Sequence, residues 1–342
     1  MSRAPLALAV VALAGFAVGT SAPAAAPQPH PIVSAFYYVW YGLPAVDGQY
    51  QHWNQYGHTP PDDIASGYYP ARGLYSSSDH TVVAAQMAEL AAAGVNEVAV
   101  SWWGRGSPED ERLPAVIAAA HASGLSVAVH LEPYGGRTVV SIVADVAYLR
   151  GLGVRRFYVY RPFDLPVAEW AAASPALHAG GSRLFAQTGL AGAAAAGGFD
   201  GLYTYDVVTY AGDKLGRICK EAHAVHLLCA PSVGPGYDAR RGNGDTKVKP
   251  RRNGQTYDAM WRAAIRSGAD LITITSYNEW HEGTQIEPAA PAGRRGQYRY
   301  LSYDGAWGQH GAAAAQAYLV RTAYWSAVYR RTLASQLSTN AS

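Results

Sequence analysis

The sequence predicts a (β/α)₈ barrel of the α/β class, one domain with long βα loops, on three observations. Eight strand-like runs follow one another after residue 31. Helical patterns separate most of them, and no linker interrupts the series. The chain has 342 residues, 49% of them apolar, which supplies core enough for one large barrel.

The strand-like runs are Ile32–Trp40, Glu97–Trp103, Ser126–Glu132, Arg156–Tyr160, Arg183–Thr188, Gly201–Asp206, Leu227–Pro231 and Asp270–Ser276. Each is short, rich in β-branched or aromatic residues, and alternates or is apolar throughout. Helical periodicity covers Thr81–Ala93, Leu113–Ala122, Val140–Leu149, Val167–Ala173, Leu215–His226 and Tyr257–Ser267, with a last helix over Ala312–Leu333. Gly94, Gly124, Gly153 and Gly268 follow helical patterns and mark C-terminal stops. The fifth unit is the weakest, because Leu190–Gly198 is mostly Ala and Gly.

In such a barrel the strands' C-terminal ends open into one shared mouth, where reactive groups collect. The segment Ser276–Pro288, S-Y-N-E-W-H-E-G-T-Q-I-E-P, leaves the last strand at that end and brings Glu279, His281, Glu282 and Glu287 with it. Glu279 and Glu282 are therefore the leading candidates for acid–base chemistry. The other strand ends supply Tyr37, Tyr41, Trp102, Trp103, His130, Glu132, Tyr160, Gln187, Tyr203, Tyr205 and Asp206. His130 and Glu132 stand two apart, so they share a strand face, whereas Trp102 and Trp103 must point oppositely. Two loops are longer than connections need: Tyr41–Ser78, carrying Trp53, Asn54, Asp62 and Asp63, and Ser232–Gln255, rich in Gly, Lys and Arg.

Nine Trp and twenty-four Tyr against six Phe is a bias toward rings with a polar edge, the combination a sugar presents in return. Net charge is only +2 with both signs interspersed, so nucleic-acid and polyanion partners are not indicated; the pairs Arg240-Arg241, Arg251-Arg252 and Arg294-Arg295 read as solvated faces. Residues 1–26 read as a Sec-type signal peptide, with Arg3, the apolar run Leu6–Val18 and a cleavage site at Ala24-Ala25-Ala26, leaving 27–342 as the catalytic domain. The apolar run is shorter than the ~20 residues that span a bilayer. Cys219 and Cys229 lie ten residues apart. An exported chain allows them to bond, and two buried thiols remain the alternative.

The motif S-Y-N-E-W-H-E-G-T-Q-I-E-P resembles glycoside hydrolase family 99, the endo-α-mannosidases and endo-α-mannanases. The likeness continues in order through Phe36–Gly42, His52–Asn54, Pro61–Ile64, Tyr68–Pro70, Ser101–Gly104, His130–Tyr134, Gly201–Tyr205, Pro231–Tyr237 and Leu319–Trp325. It implies a (β/α)₈ barrel without metal or other cofactor that cleaves inside an α-mannoside chain with retention. It also implies that Glu279 is a base acting on the sugar's own 2-hydroxyl, and that Glu282 protonates the leaving oxygen and then activates water. On the same resemblance Tyr37, Tyr41, Trp53, Trp102, His130, Glu132, Tyr205, Asn278, Trp280 and His281 shape the sugar sites, with Trp102 rather than Trp103 at the mouth. The chain departs from the family pattern at Tyr160-Arg161-Pro162-Phe163, in a shorter segment after Gly136-Arg137, and at Asp206, where an aromatic is more usual.

The sequence thus reads as a secreted, monomeric, endo-acting α-mannoside hydrolase. Its substrate is an α-mannan or mannose-containing oligosaccharide, and it meets no nucleic acid and, after signal cleavage, no membrane. A metal-dependent barrel hydrolase competes, since His130, Glu132, Glu279, His281 and Glu282 are possible ligands, but H-E-G-T-Q lacks the second His of a zinc-protease motif. A non-catalytic sugar-binding protein is the third reading, and the intact carboxylate pair argues against it.

Overall fold

Nine short strands line one parallel sheet whose order is β7-β6-β5-β4-β3-β2-β1-β11-β8, in a computed structural model that describes Met1 and residues 31–340. The strands are β1 (Ile32–Tyr37), β2 (Glu97–Trp102), β3 (Ser126–Leu131), β4 (Arg156–Val159), β5 (Arg183–Gln187), β6 (Gly201–Tyr203), β7 (Leu228–Ala230), β8 (Ser232–Val233) and β11 (Leu271–Ile274). The two ends of that order, β7 and β8, are one stretch of chain divided at Pro231. A proline has no N–H for a ladder, and here the divided strand pairs with β6 before it and with β11 after it. The sheet therefore closes on itself as an eight-stranded barrel. All eight expected strands are present; seven end one to three residues sooner than their runs of suitable residues, and the one divided at Pro231 continues to Val233.

The helices are α1 (Pro44–Asp47), α2 (His80–Ala92), α3 (Pro108–Ala122), α4 (Val139–Gly151), α5 (Val167–Leu177), α6 (Ala191–Ala196), α7 (Asp213–Ala224), α8 (Gln255–Arg266), α9 (Gly311–Ala315) and α10 (Ala317–Asn340). Side-chain caps start several of them: Asp79 accepts from Thr81 and Val82, Ser107 from Asp110, and Thr138 forms a capping box with Ser141. Helix α3 begins five residues before its expected start at Leu113, because Ser107-Pro108 followed by Glu109, Asp110 and Glu111 is a complete start signal. The weak fifth unit is a helix of six residues. Two hairpins lie outside the barrel, β9 (Tyr237–Asp238) with β10 (Val248–Lys249) in the long loop after β8, and β12 (Gly293–Arg295) with β13 (Tyr298–Tyr300) in the segment after β11.

Cys219 on α7 and Cys229 on β7 are joined as a disulfide, with Cα atoms 5.2 Å apart. This decides between the two sequence readings and ties one helix to its following strand. The signal-peptide expectation falls on residues outside the described ones. Among the described residues no helix is long and apolar enough to cross a membrane.

The barrel interior is layered by the period of two along each strand. Glu97, Arg156 and Tyr158 form an ion-paired and hydrogen-bonded floor near the strand starts. Above it Phe36 packs against His130, Tyr158, Tyr203 and Tyr205, with ring centroids 4.6–5.6 Å apart. The C-terminal layer above that ring is where the candidate site lies.

Candidate active site

The loop after β11 is fixed before any ligand arrives. Ser276 N–H donates to the Thr284 carbonyl, Tyr277 N–H to Phe36 and Ile286 N–H to Ser276, so the segment folds back onto the barrel rim. Asn278 clamps Tyr38 from both sides, accepting its N–H at 2.7 Å and donating to its carbonyl at 2.8 Å. Behind the loop, Glu287 accepts from Arg72 Nε, Gln86 Nε2 and Tyr75 Oη at 2.8 Å and from Trp280 Nε1 at 2.9 Å. Four donors on one buried carboxylate hold Trp280, and with it the residues on either side, in one place. The long loop after β8 closes over the other side: Asp238 N–H donates to the Glu282 carbonyl at 2.8 Å. A Cβ at Gly242 would collide with the His281 backbone, so only glycine lets these two loops meet.

Glu279 is 3% exposed. Its Oε1 accepts the His281 N–H at 3.0 Å and lies 3.1 Å from His281 Nδ1, while His281 Nε2 donates to the His52 carbonyl at 2.9 Å. That second bond orients the imidazole, while the His281 backbone N–H holds the carboxylate. Glu282 differs. Its carboxyl lies 3.5 Å from Tyr205 Oη and, among the described residues, makes no closer side-chain bond. Burial pushes its pKa well above the usual carboxylate range, the charges of Glu279, Glu132 and Asp206 push the same way, and the Tyr205 hydroxyl pulls back weakly. The two carboxyls therefore stand in different surroundings, one oriented and hydrogen-bonded, the other inclined to keep its proton.

Tyr205 reaches Glu282 from a backbone with φ of +49°, a strained conformation for a tyrosine. Its ring stacks on His130 at 5.3 Å, and its hydroxyl is hydrogen-bonded to that of Tyr38. His130 Nε2 bonds the Tyr203 hydroxyl at 2.8 Å. Its Nδ1 lies 2.9 Å from Glu132, without the alignment of a full hydrogen bond. Ser101 donates to the same Glu132 oxygen at 2.8 Å.

A cavity of about 210 Å³ opens beside Glu282, lined by Tyr160, Gln187, Tyr205, Asp206, Tyr237 and Lys247 among others. It is smaller than the roughly 300–1,000 Å³ of drug-sized ligand pockets, so it suits a monosaccharide-sized portion of a longer chain. Glu279 lies outside its lining. On the Glu279 side, Trp40 stacks on His52 at 4.5 Å and approaches His281 at 5.7 Å and Trp103 at 6.5 Å. Burial lowers the His52 pKa to about 3, aided by His281 and Arg112, which keeps that ring neutral. Among the described residues Trp103 Nε1 is buried without an acceptor, and Trp40 Nε1 has only the Tyr41 hydroxyl nearby, without the geometry of a full hydrogen bond. Such donors want a partner, which a sugar hydroxyl can be.

The sequence-predicted residues divide by strand parity. Glu132, Tyr205, Glu279, His281 and Glu282 converge, with His130 directly beneath Tyr205. Trp102 is a correction: its indole donates to Asp110 on α3 at 2.8 Å, so it faces the helices, and Trp103 takes the opposite side, its ring 6.5 Å from that of Trp40. Tyr37 is a second, for its hydroxyl donates to Gln86 on α2 at 2.6 Å and Tyr38 takes the inner position. Tyr41, Trp53, Asn278 and Trp280, each 1% exposed or less, brace the loop from behind instead of lining the cavity. Tyr41 Oη donates to the Asn278 carbonyl at 2.9 Å, and Trp53 stacks on Tyr41 at 4.1 Å. Tyr38, Trp40 and Ser101 were missed, although fixing the parity on His130 and Glu132 and carrying it to neighbouring strands points them inward. Arg161, at the departure from the family pattern, pairs locally with Asp164 at 2.9 Å on an exposed rim.

Comparison with known proteins places this arrangement. The family model described as "Glycosyl hydrolase family 99" matches residues 30–331. A glycoprotein endo-alpha-1,2-mannosidase-like protein of Danio rerio is 35% identical over 76% of this chain and 71% of its own length. A glycoprotein endo-alpha-1,2-mannosidase of Xenopus laevis is 32% identical over 81% and 74%. A solved endo-alpha-mannosidase of the same family, from a Bacteroides thetaiotaomicron complex with bis-tris-propane, superimposes with a TM-score of 0.78 at 31% identity, covering 90% of this chain and 99% of that one.

Proposed function

The chain belongs to glycosyl hydrolase family 99 and is a glycoside hydrolase; we propose that it cleaves internal α-mannosidic bonds through Glu279 and Glu282, with participation of the substrate's 2-hydroxyl. The observation that carries the reading is the pair of unlike carboxyl environments on one braced loop, beside an aromatic wall with an unsatisfied indole N–H, that of Trp103.

Glu279, held by His281, takes the proton of the 2-hydroxyl as that oxygen attacks C1, and Glu282 gives its proton to the departing glycosidic oxygen. The product of this step is a 1,2-anhydro sugar. Glu282, now ionised, draws a proton from water as water opens the three-membered ring at C1, and the 2-oxygen recovers its proton from Glu279. Two inversions at C1 give net retention without a bond from sugar to protein, unlike the common retaining route. The chemistry needs a free 2-hydroxyl trans to the leaving group, as an α-mannoside has.

The substrate is an α-mannan or a mannose-containing oligosaccharide, the enzyme acts as a monomer, and the N-terminal segment directs export. Incubation with a panel of α-mannans and high-mannose glycans, with products sized by mass spectrometry, should yield di- or oligosaccharides. Release of mannose alone would refute endo action. Intact-mass analysis of secreted protein should show a chain starting near Pro27, and retention of Met1 in a membrane fraction would refute export by cleavage.

A further inference from the structure

We propose that Arg251, a guanidinium caged by three tyrosines, is a positioning residue for the proton donor, fixing the backbone on which Glu282 stands. The inference rests on the mannoside reading and on the separate roles given to Glu279 and Glu282.

The pair Arg251-Arg252 reads as a solvated face in the sequence, and the structure divides it. Arg252 is exposed, whereas Arg251 turns inward until its Nε and Nη1 are shut off from solvent. The rings of Tyr68, Tyr303 and Tyr318 surround it, with centroids 4.8, 4.7 and 4.7 Å from Cζ. Gly236 makes room, since a Cβ there would lie 2.8 Å from Arg251 Cγ. Among the described residues no carboxylate pairs with this cation, so ring faces and carbonyl dipoles compensate its charge. A flat guanidinium can stack on rings and donate at its edge at once, which the shorter, rounder ammonium of lysine cannot.

Its edge points at the catalytic loop. Nη2 donates to the Gly283 carbonyl at 2.9 Å and to the Gln285 carbonyl at 2.7 Å, the first and third residues after Glu282. The Glu282 side chain does little to place itself, because among the described residues its carboxyl has only the 3.5 Å contact with Tyr205. Its backbone must therefore set its position. Asp238 holds that backbone at the Glu282 carbonyl, and Arg251 holds it at the next residue. Glu279 has other anchors: its N–H donates to Ser276 Oγ at 2.8 Å, and its carboxylate accepts the His281 N–H at 3.0 Å. Loosening Arg251 should displace the acid and spare the base. Misplacing a reacting group by about 1 Å can cost on the order of 10²-fold in rate.

The test is Arg251→Lys, which keeps the charge, assayed by kcat/KM on two substrates. An α-mannan needs a proton on its leaving oxygen; a dinitrophenyl α-mannobioside does not, because its leaving group departs as a stable anion. Since kcat/KM reports steps only through that departure, the later attack of water does not enter. The variant should lose about 10–100-fold on the mannan and less than about threefold on the aryl glycoside. Equal losses on the two, the mark of a merely structural role, or no loss on the mannan overturns the proposal. Tyr68→Leu opens one side of the cage and decides the matter if the lysine variant does not fold: it should lose about threefold on the mannan alone, and an equal loss on both substrates, or none, again overturns the proposal. If the parent enzyme cleaves neither substrate, the mannoside reading fails instead, and amide hydrogen exchange then reads the hold directly. The N–H groups of Gly283, Ile286 and Glu287 are hydrogen-bonded within the loop; faster exchange of that segment alone in the variants supports the proposal, and unchanged exchange overturns it.

Discussion

Replacing Asp206 by Asn removes one of three carboxylates whose charge keeps the Glu282 proton in place, and it leaves the local fold intact. The Asp206 Oδ1 that accepts from Val208 and Thr209 at 2.8 and 2.9 Å exists equally in Asn. Burial is the largest cause of the raised Glu282 pKa, followed by Glu279, Glu132 and then Asp206, so Asp206 contributes the smallest of the three charge effects. A neighbouring unit charge across a partly hydrated cavity is worth about 0.7–1.4 kcal/mol, or about 0.5–1 pH unit. Being the weakest, Asp206 belongs near the lower end, about half a unit. Activity on a free enzyme requires Glu282 to hold its proton, so the alkaline limb of kcat/KM reports its loss. The substitution should move that limb toward lower pH by about half a unit. The assay is a pH–rate profile of initial reducing-end release for both proteins. An alkaline limb that stays in place or moves upward would refute the assignment of Glu282 as the proton donor under the influence of Asp206.

Three further outcomes follow from the geometry. Trp103→Ala should raise KM about tenfold through loss of ring contact with a sugar, whereas Trp102→Phe should leave KM and kcat alone and lower stability by about 1–2 kcal/mol by removing the bond to Asp110; denaturant unfolding and steady-state kinetics separate the two, and the reverse pattern would restore Trp102 to the mouth. Asp258→Ala should cost about 3–5 kcal/mol in the same unfolding assay, since that carboxylate accepts from Arg321 at 2.6 Å, Trp325 at 2.7 Å and Trp307 at 3.1 Å and pins α10 to α8. Burial alone would raise the Asp258 pKa, but those donors hold it below the usual range, so its stabilisation is present above the unfolded pKa and is lost as pH falls through the folded one; a variant as stable as the parent at neutral pH would contradict this. Prolonged chelation should leave the rate unchanged, because the carboxylates and histidines that meet at the site, like all others among the described residues, include no three spaced to hold one metal ion; reversible loss restored by one cation would support the metal-dependent reading.

The barrel was legible because its signals are local: eight apolar runs, Gly stops at helix ends, and a loop whose carboxylates follow the last strand. Parity was harder. His130 and Glu132 fixed the inward face of β3, yet Tyr37 was placed at the mouth as a strand end and Trp102 on resemblance, one residue out of phase with Tyr38 and Trp103, and a one-residue slip exchanges core face for helix face. The bracing of the loop was illegible for another reason. Glu287, Arg72 and Gln86 lie far apart in sequence, and only closure of the barrel brings four donors onto one carboxylate. The part of the divided strand beyond Pro231, Ser232–Val233, was read as the start of a loop, because proline's effect on a ladder depends on which neighbours the strand meets.

Turnover of Glu279→Gln and Glu282→Gln on an α-mannan with unactivated linkages, measured beside the melting temperature of each protein, tests the central assignment most directly. Each variant should lose about 10²–10⁴-fold in kcat while remaining folded, because each carboxyl moves a proton in the step that breaks the bond. A folded variant that keeps activity within about tenfold of the parent, well short of a general acid–base contribution, would contradict the role given to its carboxylate.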